Sequence, residues 1–197
     1  MRGRVQAGFQ APGRIRLEGV APFGQPVFIL AADATRATLL LPRDERVVRA
    51  AGAAEILEAL AGVRLDADAL RAVLTGCTMT AAPTSATAHG DVTRFQFPGG
   101  IVYTRRSGAA ARIVAAETQS FLIEYPDAFV AGNTFPRRVR ISRGGAAADS
   151  VDLTVALSQI ETNMSLPDAA FTIEIPPGTA PMTIAELRAS GPLGARN

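Results

Sequence analysis

From residue 2 to residue 49 short alternating or continuous apolar runs are each bounded by a turn signal such as Pro, Gly or Asp. That combination predicts a meander of short strands. The clearest is 13–20, where Ile15, Leu17 and Gly19 fall on one side and Arg14, Arg16 and Glu18 on the other, the period of two expected of a half-buried strand. Pro22 and Gly24 lead into a strand at 27–31, and the Asp33 region turns the chain into another at 37–41. Arg43-Asp44-Glu45-Arg46 makes a charged turn ahead of a short strand at Val47-Val48.

At Ala53 the period changes. Ile56, Leu57, Leu60 and Val63 fit one helical face, with Gly62 placed to end it. A second helix is predicted over 67–75, with Asp66 as N-cap, Leu70, Val73 and Leu74 as its apolar stripe and Gly76 as its stop. Residues 78–90 are Ala, Thr, Ser and Pro without a period and read as a mobile loop. Strands resume at 92–97 and 101–106 around the turn Pro98-Gly99-Gly100. More are predicted at 112–117, 121–125, 137–142, 151–160 and 170–175. Thr183 and Glu186 stand at capping-box spacing before a last short helix, and 191–197 reads as a flexible tail. Neither a repeat nor a second core is visible, so the expectation is one domain spanning 1–190, mainly β (α+β), with a curved antiparallel sheet and two or three short helices.

Composition adds an excess of apolar side chains, 48% against 19% charged, which calls for a large core or an apolar binding surface. All twenty cations are Arg, and they are scattered; no block of like charge reads as a nucleic-acid arm, so no nucleic-acid partner is expected. No run approaches the roughly 18 apolar residues that span a bilayer. Met1-Arg2-Gly3-Arg4 alternates like a strand and lacks the charged-then-apolar order of a signal peptide.

Candidate chemistry is sparse. Cys77 is the single cysteine and His89 the single histidine, which leaves no disulfide, no zinc-type ligand set, and no metal or cofactor expected. His89 lies near Ser85 and Asp91, but in a segment read as a loop it is not held against a nucleophile. Asp66 and Asp68 precede an apolar helical run, where capping is the simpler account. No catalytic residue is expected. The glycines at 99–100 and 144–145 fall between strands, as hairpin turns rather than phosphate loops. Arg14 and Arg16, opposite the apolar side of their strand, read as a solvated face, with headgroup contact as the alternative.

What remains is shape. A many-stranded antiparallel sheet with so few helices cannot cover its inner face with a full helical layer, so it closes as a barrel or leaves an apolar groove. An acyl chain is the natural guest of such a groove.

The stretches GRIRLEGVAPFGQPVFIL at 13–30 and ILEALAGVRLDADALRAVLTGC at 56–77 resemble the family of the bacterial outer-membrane lipoprotein acceptor LolB and its carrier relative LolA. VALSQIETNMSLPDAAFTIEIP at 155–176 looks more like the carrier. The resemblance implies an open half-barrel with its helices as a lid over a cavity that accepts lipid or lipoprotein acyl chains. It also implies the periplasm or the periplasmic face of the outer membrane, with any signal or lipid-attachment segment lying outside this chain. Phe23, in APFG at 21–24, matches the apolar residue that the acceptor's loop brings to the bilayer. Alternation then assigns Ile15, Leu17, Val27, Ile29, Leu39, Leu41, Leu57, Leu60, Leu70 and Leu74 to the cavity. Two rivals stand beside a LolA/LolB-like binder: a non-hydrolytic small-molecule enzyme on the same half-barrel, and a structural envelope protein that docks a partner chain through its sheet edge or groove.

Overall fold

The computed structural model describes residues 3–20, 26–78, 81–126, 135–145 and 150–190. Strands β1 (Arg4–Gln10), β2 (Arg14–Val20), β3 (Phe28–Ala32), β4 (Ala37–Leu41) and β5 (Arg46–Ala50) come first, followed by helices α1 (Ala53–Ala61) and α2 (Ala67–Thr75). Then come β6 (Ser85–His89), β7 (Val92–Phe97), β8 (Gly100–Ser107), β9 (Ala110–Thr118), β10 (Leu122–Glu124), β11 (Arg138–Arg143) and β12 (Val151–Ala156). A 3₁₀ turn at Asp168–Phe171 precedes β13 (Ala180–Met182) and α3 (Ile184–Ser190). The protein is mainly β with short helices, as the pattern predicts. Among the described residues the strands form two sheets, ordered β1-β2-β3-β4-β5-β13 and β12-β11-β10-β9-β8-β7-β6, and neither closes into a barrel. The sequence reads as one domain; its contacts divide it into two compact units, Met1–Leu70 with Asn163–Asn197, and Arg71–Thr162. The division falls inside α2.

In the first unit all strand pairs are antiparallel except β13 on β5. Leu17, Leu30, Leu39, Val48 and Met182 occupy one register row across five strands. The row is apolar because each strand contributes one parity of its alternation, and α1 covers it, packing on β3, β4 and β5, with α3 against α1 and β5. Ile56, Leu57 and Leu60 are the residues that α1 buries there. Gly62, at φ 72°, ends the helix and donates its N–H to the Glu58 carbonyl. Asp66 caps α2 through the Ala69 N–H at 2.8 Å, whereas Asp68 reaches the Gly13 N–H at 2.9 Å and ties down the β1–β2 turn. Thr183 and Glu186 form the reciprocal capping box of α3. Gly19 stands opposite Phe28, and a Cβ there would lie 2.6 Å from the Phe28 ring, so this position admits no side chain while the ring lies over it.

The second unit is an antiparallel meander. Pro98 and Gly99 make the β7–β8 turn, and at Gly100 a Cβ would run into the Glu117 carbonyl. Three expectations change here and at the C-terminal side. Residues 85–89, read as part of a mobile loop, form β6, in register with β7 over five residues. Both of its faces are exposed, so no apolar alternation marks it. The strand expected at 151–160 ends at Ala156. The strand expected at 170–175 is instead a 3₁₀ turn and an irregular stretch: the Ala170 and Thr172 carbonyls are taken by Arg16 rather than by a ladder partner. Residues 191–197, the expected tail, lie outside the described residues. Among the described residues, no helix is long and apolar enough to cross a membrane.

Two tests follow from these contacts. Leu30 is fully buried on the helix side of β3, while Ile29 faces the other way and is only half-buried. Leu30→Ala is expected to lower the unfolding free energy by about 2–5 kcal/mol, and Ile29→Ala by less, as read by denaturant titration. In the β3–β4 turn Asp33 accepts hydrogen bonds from the Thr35 N–H and hydroxyl and from Arg36, which hold its pKa at about 2. A depressed carboxylate contributes stability above its unfolded pKa of about 3.9 and loses it as pH falls toward the folded value. Asp33→Asn should therefore flatten the acid limb of the stability curve between about pH 4 and 2, and the Asp33 carboxyl should titrate near 2 by NMR.

Candidate functional site

The residues assigned to a cavity are mostly the packed core of the first unit. Ile15, Leu17, Leu39, Leu41, Leu57 and Leu60 belong to one buried cluster, with Val27 and Leu70 packed at its margin. Ile15 and Leu39 have no exposed surface, so their contacts are already with protein. Ile29 lies on the other face, paired with Leu40 and Glu18; Phe28 and Leu30 take the inward positions that the alternation assigned to Val27 and Ile29. The pleat places the parity of β3 one residue later than expected. Leu74 is half-buried on α2, next to the buried Val73. Phe23 lies outside the described residues.

The reverse face of the first sheet carries Arg14 and Arg16, which read from sequence as solvated. They are half-buried beneath the segment around the 3₁₀ turn. Arg14 donates to Asp168 at 2.8 Å and lies over the Phe171 ring, 4.6 Å from its centroid. Arg16 donates to the carbonyls of Ala170 and Thr172 at 3.0 and 3.2 Å. Phe171 is buried. Two guanidiniums, with their forked donors, thus fasten a strap of irregular chain that has no ladder of its own. The alternating Arg14-Ile15-Arg16 was visible in sequence; its partner, some 150 residues away, was not.

The second unit sorts its side chains more sharply. On one face, Ala86, Phe95, Val102, Ala116, Ile123, Ile141 and Leu153 form a row across all seven strands. Its middle is buried, from Val102 to Ile141, and its ends at Phe95 and Leu153 are half-exposed. Phe97 extends the half-exposed end along β7. Tyr125, on the same parity as Ile123, donates its hydroxyl to the Val73 carbonyl at 2.9 Å, and burial pushes its pKa well above the usual phenol value, helped by the charge of Cys77. In the strand expected at 92–97, Phe95 and Phe97 alternate with Arg94 and Gln96, the sequence signal that marks this apolar face.

The opposite face is polar and pairs with itself. Arg140 forks onto Asp152 at 2.8 and 2.9 Å and reaches Glu124 at 3.3 Å; Asp152 holds the guanidinium above its ordinary pKa, and Arg140 holds the carboxyl below its own. The Tyr103 hydroxyl donates to Glu117 at 3.0 Å. Gln96 accepts from Arg94 at 2.8 Å and donates to the carbonyls of Phe97 and Gly100. An open depression of about 290 Å³ lies at this hairpin, between Gln96, Ile101, Glu117 and Gln119. His89 is exposed at the end of β6, opposite Val92, and Cys77 is exposed beyond α2.

Comparison with protein-family models and with curated proteins finds no match for this chain. The fold and the side chains define only a class, a mainly β protein with an apolar row across each of its two described sheets.

The strap is testable directly. Arg16→Ala removes both carbonyl contacts, and amide exchange at residues 168–172 is expected to speed up relative to β2, by hydrogen-exchange mass spectrometry; unchanged protection would show that Arg14 and Phe171 suffice.

Proposed function

We propose that the protein is a binding protein of the bacterial envelope, and that it takes up an acyl chain of a lipid or lipoprotein on the apolar face of the seven-stranded sheet. The observation that carries the reading is the half-exposed end of its apolar row, where Phe95 and Phe97 lie open beside the buried Val102, while Ala116, Ile123 and Ile141 are core. This moves the contact from the ten residues first assigned, most of which are core, to a face whose end is still open. The resemblance of 13–30 and 56–77 to the LolA and LolB family supports the same class of ligand, and with it a site at the periplasmic side of the outer membrane. Each buried methylene contributes about 0.8 kcal/mol, so ten give about 8 kcal/mol before the costs of ordering, the scale of micromolar binding.

Delipidated protein is expected to bind a fluorescent fatty acid saturably. Phe95→Asp puts a charge on the half-exposed end of the row and should weaken uptake at least tenfold, while Leu122→Asp, on the polar reverse face, should leave it unchanged. A protein that takes up neither fatty acid nor acyl peptide, or that loses uptake equally in both variants, would contradict this reading.

A further inference from the structure

β6 ends the seven-stranded sheet, and among the described residues no strand pairs with its outer edge. All five of its residues are exposed. Such an edge is a template for another strand, and proteins ordinarily protect it with a charge, a proline, a bulge or a very short length. The other ends of the two sheets have these devices: β1 carries Arg4, β13 has three residues with Pro181 at its centre, and β12 carries Asp152. β6 is Ser-Ala-Thr-Ala-His; the Thr84 N–H also reaches the Gln96 carbonyl opposite Ser85, a bulge confined to the N-terminal boundary of the strand, and from Ala86 to His89 the edge has none of these devices.

The hydrogen bonds of the neighbouring strands settle which groups the edge offers. The Arg106 N–H donates to the Asp91 carbonyl at 2.8 Å, which marks the Asp91 and Arg106 positions as hydrogen-bonded toward β8. Because an antiparallel strand turns its N–H and C=O alternately to its two neighbours, Val92, Arg94 and Gln96 direct theirs to β6. Their partners His89, Thr87 and Ser85 answer them. The N–H and C=O groups of Ala86 and Ala88 therefore face outward.

We propose that β6 pairs antiparallel with β6 of a second copy of this chain, about a two-fold axis at Thr87. In that register Ala86 stands opposite the partner copy's Ala88, and the two outward-facing residues exchange their N–H···O bonds on each side of the axis. Thr87 meets its own copy as a non-hydrogen-bonded pair, a favourable cross-strand combination. Ser85 meets His89, so no like charges face each other. Arg94, the nearest cation, is one strand further in; the two copies of it would be about 14 Å apart across three strand spacings, beyond the screening length of about 8 Å. Ala86 and Ala88 share the parity of Phe95, so the apolar faces of the two sheets join on the same side. This pairing does not depend on whether that face holds an acyl chain.

Sedimentation velocity of the lipid-free protein should show the mass rising from one chain to two with concentration. Thr87→Lys, which opposes two ammonium groups across the axis, and Ala86→Pro, which removes an outward N–H at a position where an edge strand tolerates proline, should each keep the protein at one chain mass with an unchanged circular dichroism spectrum. Opposed Cα atoms in a non-hydrogen-bonded pair lie about 4.5 Å apart, within disulfide reach. Thr87→Cys in a Cys77→Ser background should therefore form an intermolecular disulfide on mild oxidation. One chain mass at every concentration would overturn the proposal. So would a dimer that both Thr87→Lys and Ala86→Pro leave intact, or one in which Thr87→Cys stays reduced.

Discussion

The first unit depends on register. Leu17, Leu30, Leu39, Val48 and Met182 meet in one row only at the pairing that β2, β3, β4, β5 and β13 adopt. A slip of one residue on any strand would turn its whole apolar set to the other face. The cost would be large, because the helix side is already filled by Ile56, Leu57, Leu60 and Leu187. Gly19 under the Phe28 ring pins the same register from the strand side, since the ring needs a position without a Cβ.

The reverse of that sheet is not left to solvent. Ala31, Leu40 and Val47 have the outward parity and are buried nonetheless. On β2 the same parity carries Arg14 and Arg16, which clasp the chain around the 3₁₀ turn through a carboxylate, a ring face and two carbonyls. A planar guanidinium serves several acceptors at once, which suits a segment that lacks a ladder. From β2 to β5 both faces of the first sheet are thereby committed to internal contacts, and this is why the residues that looked like a cavity wall are a core.

The second sheet divides its labour differently. Its polar face satisfies itself through Arg140 with Asp152 and Glu124, Tyr103 with Glu117, and Gln96 with its hairpin. Its apolar face is buried in the middle and half-exposed toward β7 and β12. Binding is best sought where apolar surface is still available, and the open end of this row meets that condition, whereas Ile15 or Leu39 does not. β6, uncharged and exposed, sits beside the same end.

Local chemistry was legible wherever it acts over a few residues. Alternation marked β2, and bounding turn residues marked β4, β7 and β8; Asp66, Gly62 and the Thr183–Glu186 pair marked helix ends; Pro98 and Gly99 marked a hairpin. Each of these signals is a side chain answering its own backbone or its own strand. Three things depended on what another strand or segment placed opposite. β6 is a strand because β7 offers it a ladder, not because Ser-Ala-Thr-Ala-His prefers one. The chain at 170–175 is irregular because Arg16 takes its carbonyls. Phe28 rather than Ile29 faces the helices because Gly19 across the pair leaves room for the ring. Periodicity along the chain thus determined that this would be a mainly β protein with an apolar surplus. Which apolar residues became core and which remained on an open face was decided only by the pairing of strands and the covering of each sheet, since burial is a property of what lies opposite.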